Sequence, residues 1–261
     1  MRISNRVCLV TGAAQGLGAA ISRRFIEEGA TVYLTDMNKE KGETLAMQLG
    51  ERAMFRIQDV TNEAHWEVRM DEILKEQGRL DVLVNNAGIL EQDEIENADL
   101  ESFRRMLGVN TEGVFLGCKH AVRAMKKRKE DTGLKDLSSA SIINVSSLAA
   151  IVGSHNLSGY SASKGAVRAL TKSVALYCAR KSYDIRCNSI HPGLAETQMA
   201  EDVISVSRNP ERTREAFNRA APLPGMVQPI DVANAALYLA SSESRFTNGI
   251  EMVIDGGAIA Q

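Results

Sequence analysis

The residues best suited to chemistry form one short run, Tyr160-Ser161-Ala162-Ser163-Lys164. On a helix, positions i and i+4 share a face, so the phenol and the ammonium can meet at one site. A phenol titrates near ~10 and is a poor base at neutral pH, but a neighbouring ammonium favours the phenolate. Tyr160 could then take the proton of an alcohol while hydride leaves the carbinol carbon. An isolated Tyr-x-x-x-Lys also arises wherever an amphipathic helix begins, so the pair needs supporting groups. Ser147, upstream of it, can donate a hydrogen bond that holds a substrate oxygen against Tyr160, with Ser146 beside it as a turn residue. Asn110 interrupts the stretch 107–111. Its amide could hold a water that links Lys164 to solvent, or it could cap or kink a helix.

Hydride needs an acceptor, and the N-terminal end offers a place for one. Thr11-Gly12-Ala13-Ala14-Gln15-Gly16-Leu17-Gly18 joins an apolar run to a helical pattern. Glycines allow a tight turn and let backbone N–H groups at a helix N-terminus approach a pyrophosphate. The spacing, G-x-x-x-G-x-G, differs from the commoner G-x-G-x-x-G. Asp36 closes the next apolar run. A carboxylate there accepts hydrogen bonds from the ribose hydroxyls of NAD and repels the 2′-phosphate of NADP. No basic residue adjoins Asp36, and Ala13 and Gln15 are uncharged, so the pattern predicts NAD; a helix cap or turn is the plainer use of Asp36. Asp59-Val60 and Asn85-Asn86-Ala87-Gly88 follow the third and fourth apolar runs, at strand ends where ligands collect in open α/β sheets.

Strands and helices alternate so as to position these groups. Apolar runs at 7–11, 31–35, 53–58, 80–84, 141–145, 185–190 and 250–254 predict strands. Helical periodicity marks 17–28, 39–49, 63–76, 100–107, 112–129, 159–181 and 232–241. The order predicts an α/β fold, a single-domain Rossmann-type doubly wound parallel sheet over residues 1–261 with helices on both faces. The strands are apolar throughout, as burial on both faces requires. The polar, irregularly helical segment at about 196–224 is expected to form a substrate lid. Segment 148–158 should shape the pocket, with Leu148, Ile151, Val152 and Leu157 as an apolar wall and His155 facing solvent. The run from Lys126 to Asp131 has the character of a solvated helix end.

Composition narrows the function classes. Of 261 residues, 44% are hydrophobic and 25% charged, and the net charge of −2 provides no basic field for nucleic acid or an anionic membrane. The four cysteines form no C-x-x-C pair and no zinc-spaced cluster, so no metal is expected. The N-terminus leads straight into the first strand and no apolar run is long enough for a bilayer, which predicts a cytoplasmic protein.

Taken in order, Thr11-Gly12, Gly16, Gly18, Asp59, Asn85-Asn86-Ala87-Gly88, Asn110, Ser147, Tyr160, Lys164, Pro192-Gly193 and Thr197 resemble the short-chain dehydrogenase/reductase family along essentially the whole chain. The resemblance implies a catalytic tetrad of Asn110, Ser147, Tyr160 and Lys164. It also implies that Lys164 binds the nicotinamide ribose and that Pro192, Gly193, Ala195 and Thr197 embrace the carboxamide. It implies a homotetramer too, with helices 112–129 and 159–181 packed between subunits through Gly113, Gly117, Ala121, Ala166 and Ala169. Several framework segments are similar to bacterial 3β/17β-hydroxysteroid and cyclopentanol dehydrogenases, which points to a secondary alcohol on a ring. The sequence departs from the family at Ala195, where Ile or Val is usual, and in a longer loop between Lys129 and Ser141. Two rivals stay open. A 3-oxoacyl-carrier-protein reductase of the same family would mostly use NADPH, against which Asp36 counts. A silent NAD-binding sensor or scaffold would be expected to show a broken tetrad.

Overall fold

Each strand is a short run of Val, Ile, Leu and other apolar residues that can be buried on both sides, and every strand but the last leads on to a helix. The computed structural model describes residues 1–131 and 139–260. Its strands are β1 (Val7–Thr11), β2 (Thr31–Asp36), β3 (Ala53–Ile57), β4 (Val82–Asn85), β5 (Ala140–Val145), β6 (Ile185–Pro192) and β7 (Glu251–Ile254). Between them run α1 (Gly16–Glu27), α2 (Lys39–Leu49), α3 (Glu63–Gln77), α4 (Leu100–Leu107), α5 (Gly113–Asp131), α6 (Ser158–Arg180), α7 (Gln198–Ser205), α8 (Pro210–Asn218) and α9 (Pro229–Ala240). The sheet order is β3-β2-β1-β4-β5-β6-β7, and all neighbouring strands are parallel. This is the Rossmann-type doubly wound sheet expected from the alternation. The order reverses between β1 and β4, and a ligand crevice opens at such a point.

Two cores flank the sheet. One packs Ile21 and Phe25 of α1 and Val232 and Leu237 of α9 against β1, β2 and β4. The other packs Trp66 and Ile73 of α3, Val114 of α5 and Val167 of α6 against the opposite face. Burying one such side chain contributes about 1.5–3 kcal/mol, so the sheet is a stiff platform for the loops at its carboxyl edge. Buried amides add specific ties: Asn85 donates to Asn144 Oδ1 at 2.8 Å, and Asn144 donates to Thr171 Oγ1 at 2.9 Å, which links β4, β5 and α6.

Three features depart from the sequence-based expectations. The segment 196–224 contains two helices, α7 and α8, clipped together by Arg214 and Glu201 at 2.8 Å. A π-helical turn, Gly108–Glu112, joins α4 to α5 where a simple break was expected. Part of the small-residue stripe has another use. A Cβ on Gly117 would lie 2.1 Å from Asn85 Oδ1, and one on Gly113 would lie 2.8 Å from Val60 Cγ2. Ala121 is fully buried. These three let α5 sit against its own sheet and are not free to face another subunit. On α6, Ala169 is exposed and Ala166 half-buried, as an outward face requires. The expected longer loop after Lys129 falls largely outside the described residues.

Candidate active site

The carboxyl ends of the strands enclose a cleft of about 910 Å³. Its walls at one end are the glycine turn (Gly12, Gln15, Gly16, Leu17), Asp36, Asp59 and Val60. At the other end are Ser147, Tyr160 and Lys164, with Asn86, Ala87 and Gly88 between and Pro192, Gly193, Ala195 and Thr197 across from them. Two residues singled out from the sequence, Gly18 and Asn110, do not reach the wall and act from behind it.

The glycine turn is built for close approach. Gly12 has φ +61° and Gly16 +57°, a region that side chains with a Cβ rarely occupy. A Cβ on Gly12 would sit 2.7 Å from the Ala87 backbone, and one on Gly18 would sit 2.2 Å from the carbonyl of Gly12. Asn86 sews the turn to β4, with its amide donating to the carbonyls of Thr11 and Gly12, each at 2.9 Å. Among the described residues, no side chain caps the first N–H groups of α1; Gln15 instead accepts from Lys41 Nζ at 2.7 Å. An uncapped helix start over a cradle that excludes a Cβ fits the pyrophosphate of a dinucleotide.

Asp36 lies beside this cradle. Its Oδ2 accepts the Ala14 N–H at 3.0 Å and its Oδ1 the Asn38 N–H at 2.9 Å. Each carboxylate oxygen has a second lone pair, so both can still accept a ribose hydroxyl. Asp59 Oδ1 holds the backbone and hydroxyl of Thr61, at 2.9 and 2.7 Å. Gln58 also lines this end and was missed from the sequence. Its side-chain amide is buried and has no hydrogen-bond partner among the described residues. Nothing in its local sequence marks it, because an isolated Gln before Asp59 looks like any strand end.

At the chemical end, the first turn of α6 sets Tyr160 and Lys164 side by side. Lys164 Nζ lies 5.8 Å from the Tyr160 ring centre and donates to the carbonyl of Val145 at 3.0 Å. Ser147 lines the same cleft wall as the phenol, and its Oγ accepts the Ala149 N–H at 3.1 Å. Ser146 is spent on structure, donating to the carbonyl of Lys164 at 3.0 Å. His191 supports Ser147 from behind, with Nδ1 2.9 Å from the Ser147 carbonyl and Nε2 2.8 Å from Ser189 Oγ. Burial holds this imidazole below its ordinary pKa, so it is neutral; Nδ1–H donates to the carbonyl and Nε2 accepts from Ser189.

The electrostatics differ from the simple expectation for a phenol near an ammonium. Burial pushes the Tyr160 phenol above its ordinary value, with the Ser147 hydrogen bond working in the opposite direction. Burial also brings Lys164 down to about 8. Desolvation outweighs the pairing here because both groups are almost fully covered.

Asn110 is fully buried in the π-helical turn. Its Oδ1 accepts the Ile89 N–H at 2.8 Å, and its amide donates to the Ile89 carbonyl at 2.9 Å and to Ser163 Oγ at 3.0 Å. Both amide hydrogens are used, so the side chain braces α6 against the loop after β4 and is not free to donate to a water. Leu148, Val152 and Leu157 line the cleft with Met199 and Val203 of α7 and Phe217 of α8. Ile151 does not reach the cleft, and His155 is exposed. Away from the cleft, Glu63, Glu67 and His120 place ligand atoms within 4.8 Å of one another, but Lys119 already sits 2.5 Å from Glu63 Oε1.

Comparisons agree with this architecture. A family model described as Enoyl-(Acyl carrier protein) reductase matches residues 12–258. The NADP-dependent (R)-specific alcohol dehydrogenase of Lentilactobacillus kefiri is 39% identical, covering 100% of this chain and 99% of its own. The cyclopentanol dehydrogenase of Comamonas testosteroni is also 39% identical, with 99% of both chains covered. The 3-beta-hydroxysteroid dehydrogenase of the same species is 40% identical, covering 99% of this chain and 97% of its own. With a parallel sheet, a glycine cradle and a Ser-Tyr-Lys cluster in one cleft, and relatives matched from end to end, the chain belongs to the short-chain dehydrogenase/reductase family.

Proposed function

We propose that this protein is an NAD-dependent dehydrogenase that interconverts a secondary alcohol, carried on a ring, and its ketone. The observation that carries the reading is the placement of Ser147, Tyr160 and Lys164 together in the wall of the cleft that also holds the glycine cradle. A bound nicotinamide dinucleotide would supply the hydride acceptor and, when oxidised, a positive charge near Tyr160.

The chain's own residues perform the rest. Ser147 donates to the substrate oxygen and holds it against the phenol. Tyr160 removes the hydroxyl proton as the carbinol carbon loses hydride, and returns one in the reverse direction. Lys164 stabilises the phenolate by its charge and offers further N–H donors to a ribose. Leu148, Val152, Leu157, Met199, Val203 and Phe217 give the substrate end an apolar surface suited to an alicyclic skeleton. Helices α7 and α8 act as its lid. The names of the Comamonas relatives support a ring alcohol.

NAD rather than NADP rests on Asp36. Two points favour the other cofactor: Lys41 reaches Gln15 beside the cradle, and the L. kefiri relative is named NADP-dependent. Asp36→Ala should reduce the preference for NAD over NADP by roughly 10- to 100-fold, the worth of a charge-assisted hydrogen bond. Specificity constants for both cofactors measure it, and equal constants in the wild type would overturn the assignment. The substrate class is tested by NAD reduction across hydroxysteroids, alicyclic alcohols and 3-hydroxyacyl thioesters. Ring alcohols should lead; preference for the thioesters would favour the acyl-carrier reading instead. The family resemblance also supports a homotetramer, for which α6 presents exposed Leu176 and Tyr177.

A further inference from the structure

Helix α6 carries the reactive pair, yet its own cap residue, Leu157, provides no side-chain hydrogen bond to its free N–H groups. The missing acceptor comes from far away in sequence. Asp93, in the loop after β4, accepts the Ser158 N–H at 2.6 Å, the Ser158 hydroxyl at 2.9 Å and the Gly159 N–H at 2.9 Å. Its own N–H donates to the carbonyl of Asn156 at 2.9 Å, and it bridges to Leu157 as a short parallel pair. The carboxylate is therefore fixed by backbone as well as side chain. Its seat is tight: a Cβ on Gly159 would lie 3.0 Å from Asp93 Oδ2 and 2.6 Å from Met106 Cε. Tyr160 is the next residue.

The loop that carries Asp93 is fastened at its other end too. Gly88 lines the cleft, and Ile89 is clamped in both directions by Asn110. One strap of residues thus runs from the cofactor wall to the first turn of the catalytic helix.

We propose that Asp93 is a positioning residue, which anchors the first turn of α6 so that the Tyr160 phenol meets Ser147. The inference rests on the dehydrogenase reading above. It requires only that the phenol's place depend on the turn that carries it, and misplacement by about 1 Å costs on the order of 10²-fold in rate. The carboxylate touches neither the cleft wall nor Lys164, so dinucleotide binding does not depend on it.

Three forms of the full-length protein test this: wild type, Asp93→Ala and Asp93→Asn, the last keeping one carbonyl acceptor. The assay uses NAD with cyclohexanol or a 3-hydroxysteroid, whichever the wild type turns over. Asp93→Ala should lower kcat by roughly 10- to 100-fold while KM for NAD stays within about twofold. Asp93→Asn should recover most of the loss. Amide hydrogen exchange at residues 158–160 should be faster in the alanine variant and near normal in the asparagine one. That readout stands even if neither alcohol is a substrate, a result that would count against the dehydrogenase reading alone. Unchanged kcat and exchange in Asp93→Ala would overturn the proposal. So would a loss of kcat matched by KM for NAD and melting temperature, with no recovery in Asp93→Asn, since that pattern is general unfolding.

Discussion

Tyr160→Phe should lower kcat for alcohol oxidation by roughly 10³-fold, within the range general acid–base catalysis contributes, while the affinity for dinucleotide changes little. The phenol ring would keep its packing, because Tyr160 is buried at 8% exposure and the substitution removes one oxygen. What is lost is the proton acceptor beside Ser147. Ser147 keeps the Ala149 N–H, so the short turn it caps should survive. Stopped-flow hydride transfer with calorimetric binding separates the two effects. A variant with full activity would remove Tyr160 from the mechanism, and one that cannot bind dinucleotide would make it a structural residue.

Lys164→Met should abolish nearly all activity and at the same time stabilise the fold. Lys164 is 3% exposed, and burial brings its pKa from 10.5 to about 8. The sign follows from proton uptake. Between about 8 and 10.5 the unfolded chain binds more protons at this site than the folded one, so this group's contribution to stability rises with pH across that window. Below about 8 both states carry the charge, and the folded state bears the full cost of burying it. At about 1.4 kcal/mol per pKa unit, the cost at neutral pH is on the order of 3–4 kcal/mol. Methionine is similar in length and apolar. It forfeits the bond to the Val145 carbonyl, worth about 1 kcal/mol, so a net gain of about 2–3 kcal/mol remains, or several degrees in Tm. Activity should fall by roughly 10³-fold as the phenolate loses its nearest cation. Calorimetric melting at pH 7 and pH 10 checks the sign: the advantage of the variant should shrink at the higher pH. A lower Tm at pH 7 would show that the lysine holds the structure together.

Most of the fold could be inferred from local pattern because a strand buried on both faces is a short apolar run, and a glycine turn before a helix has a distinctive composition. The seven strands and the cradle of Gly12, Gly16 and Gly18 follow from that. The cluster of Ser147, Tyr160 and Lys164 was accessible for a different reason: Tyr160 and Lys164 share one helical face, and Ser147 lies just past the end of β5. What stayed hidden depends on partners distant in the chain. Nothing near Asp93 announces that it will cap a helix that begins at Ser158. Gln58 looks like a strand end until its amide is found without a partner. The family resemblance places Gly113 and Gly117 at a subunit contact, and only the proximity of Val60 and Asn85 shows that they serve their own sheet. The balance between Tyr160 and Lys164 was equally out of reach, since spacing gives their separation but not the desolvation that dominates both.

The π-helical turn at Gly108–Glu112 has a consequence for how one long helical rod can serve two neighbours. An α-helix advances about 100° per residue, so a single surplus residue shifts the angular phase of everything after it. Before the turn, Met106 of α4 packs against Gly159 at the start of α6; after it, Val114 and Cys118 of α5 join the core beside the sheet. An unbroken helix would have to keep one apolar stripe in step along its whole length. The turn instead works as a phase shifter, and Asn110 sits inside it, where the surplus residue brings a polar side chain into the interior to brace the catalytic helix.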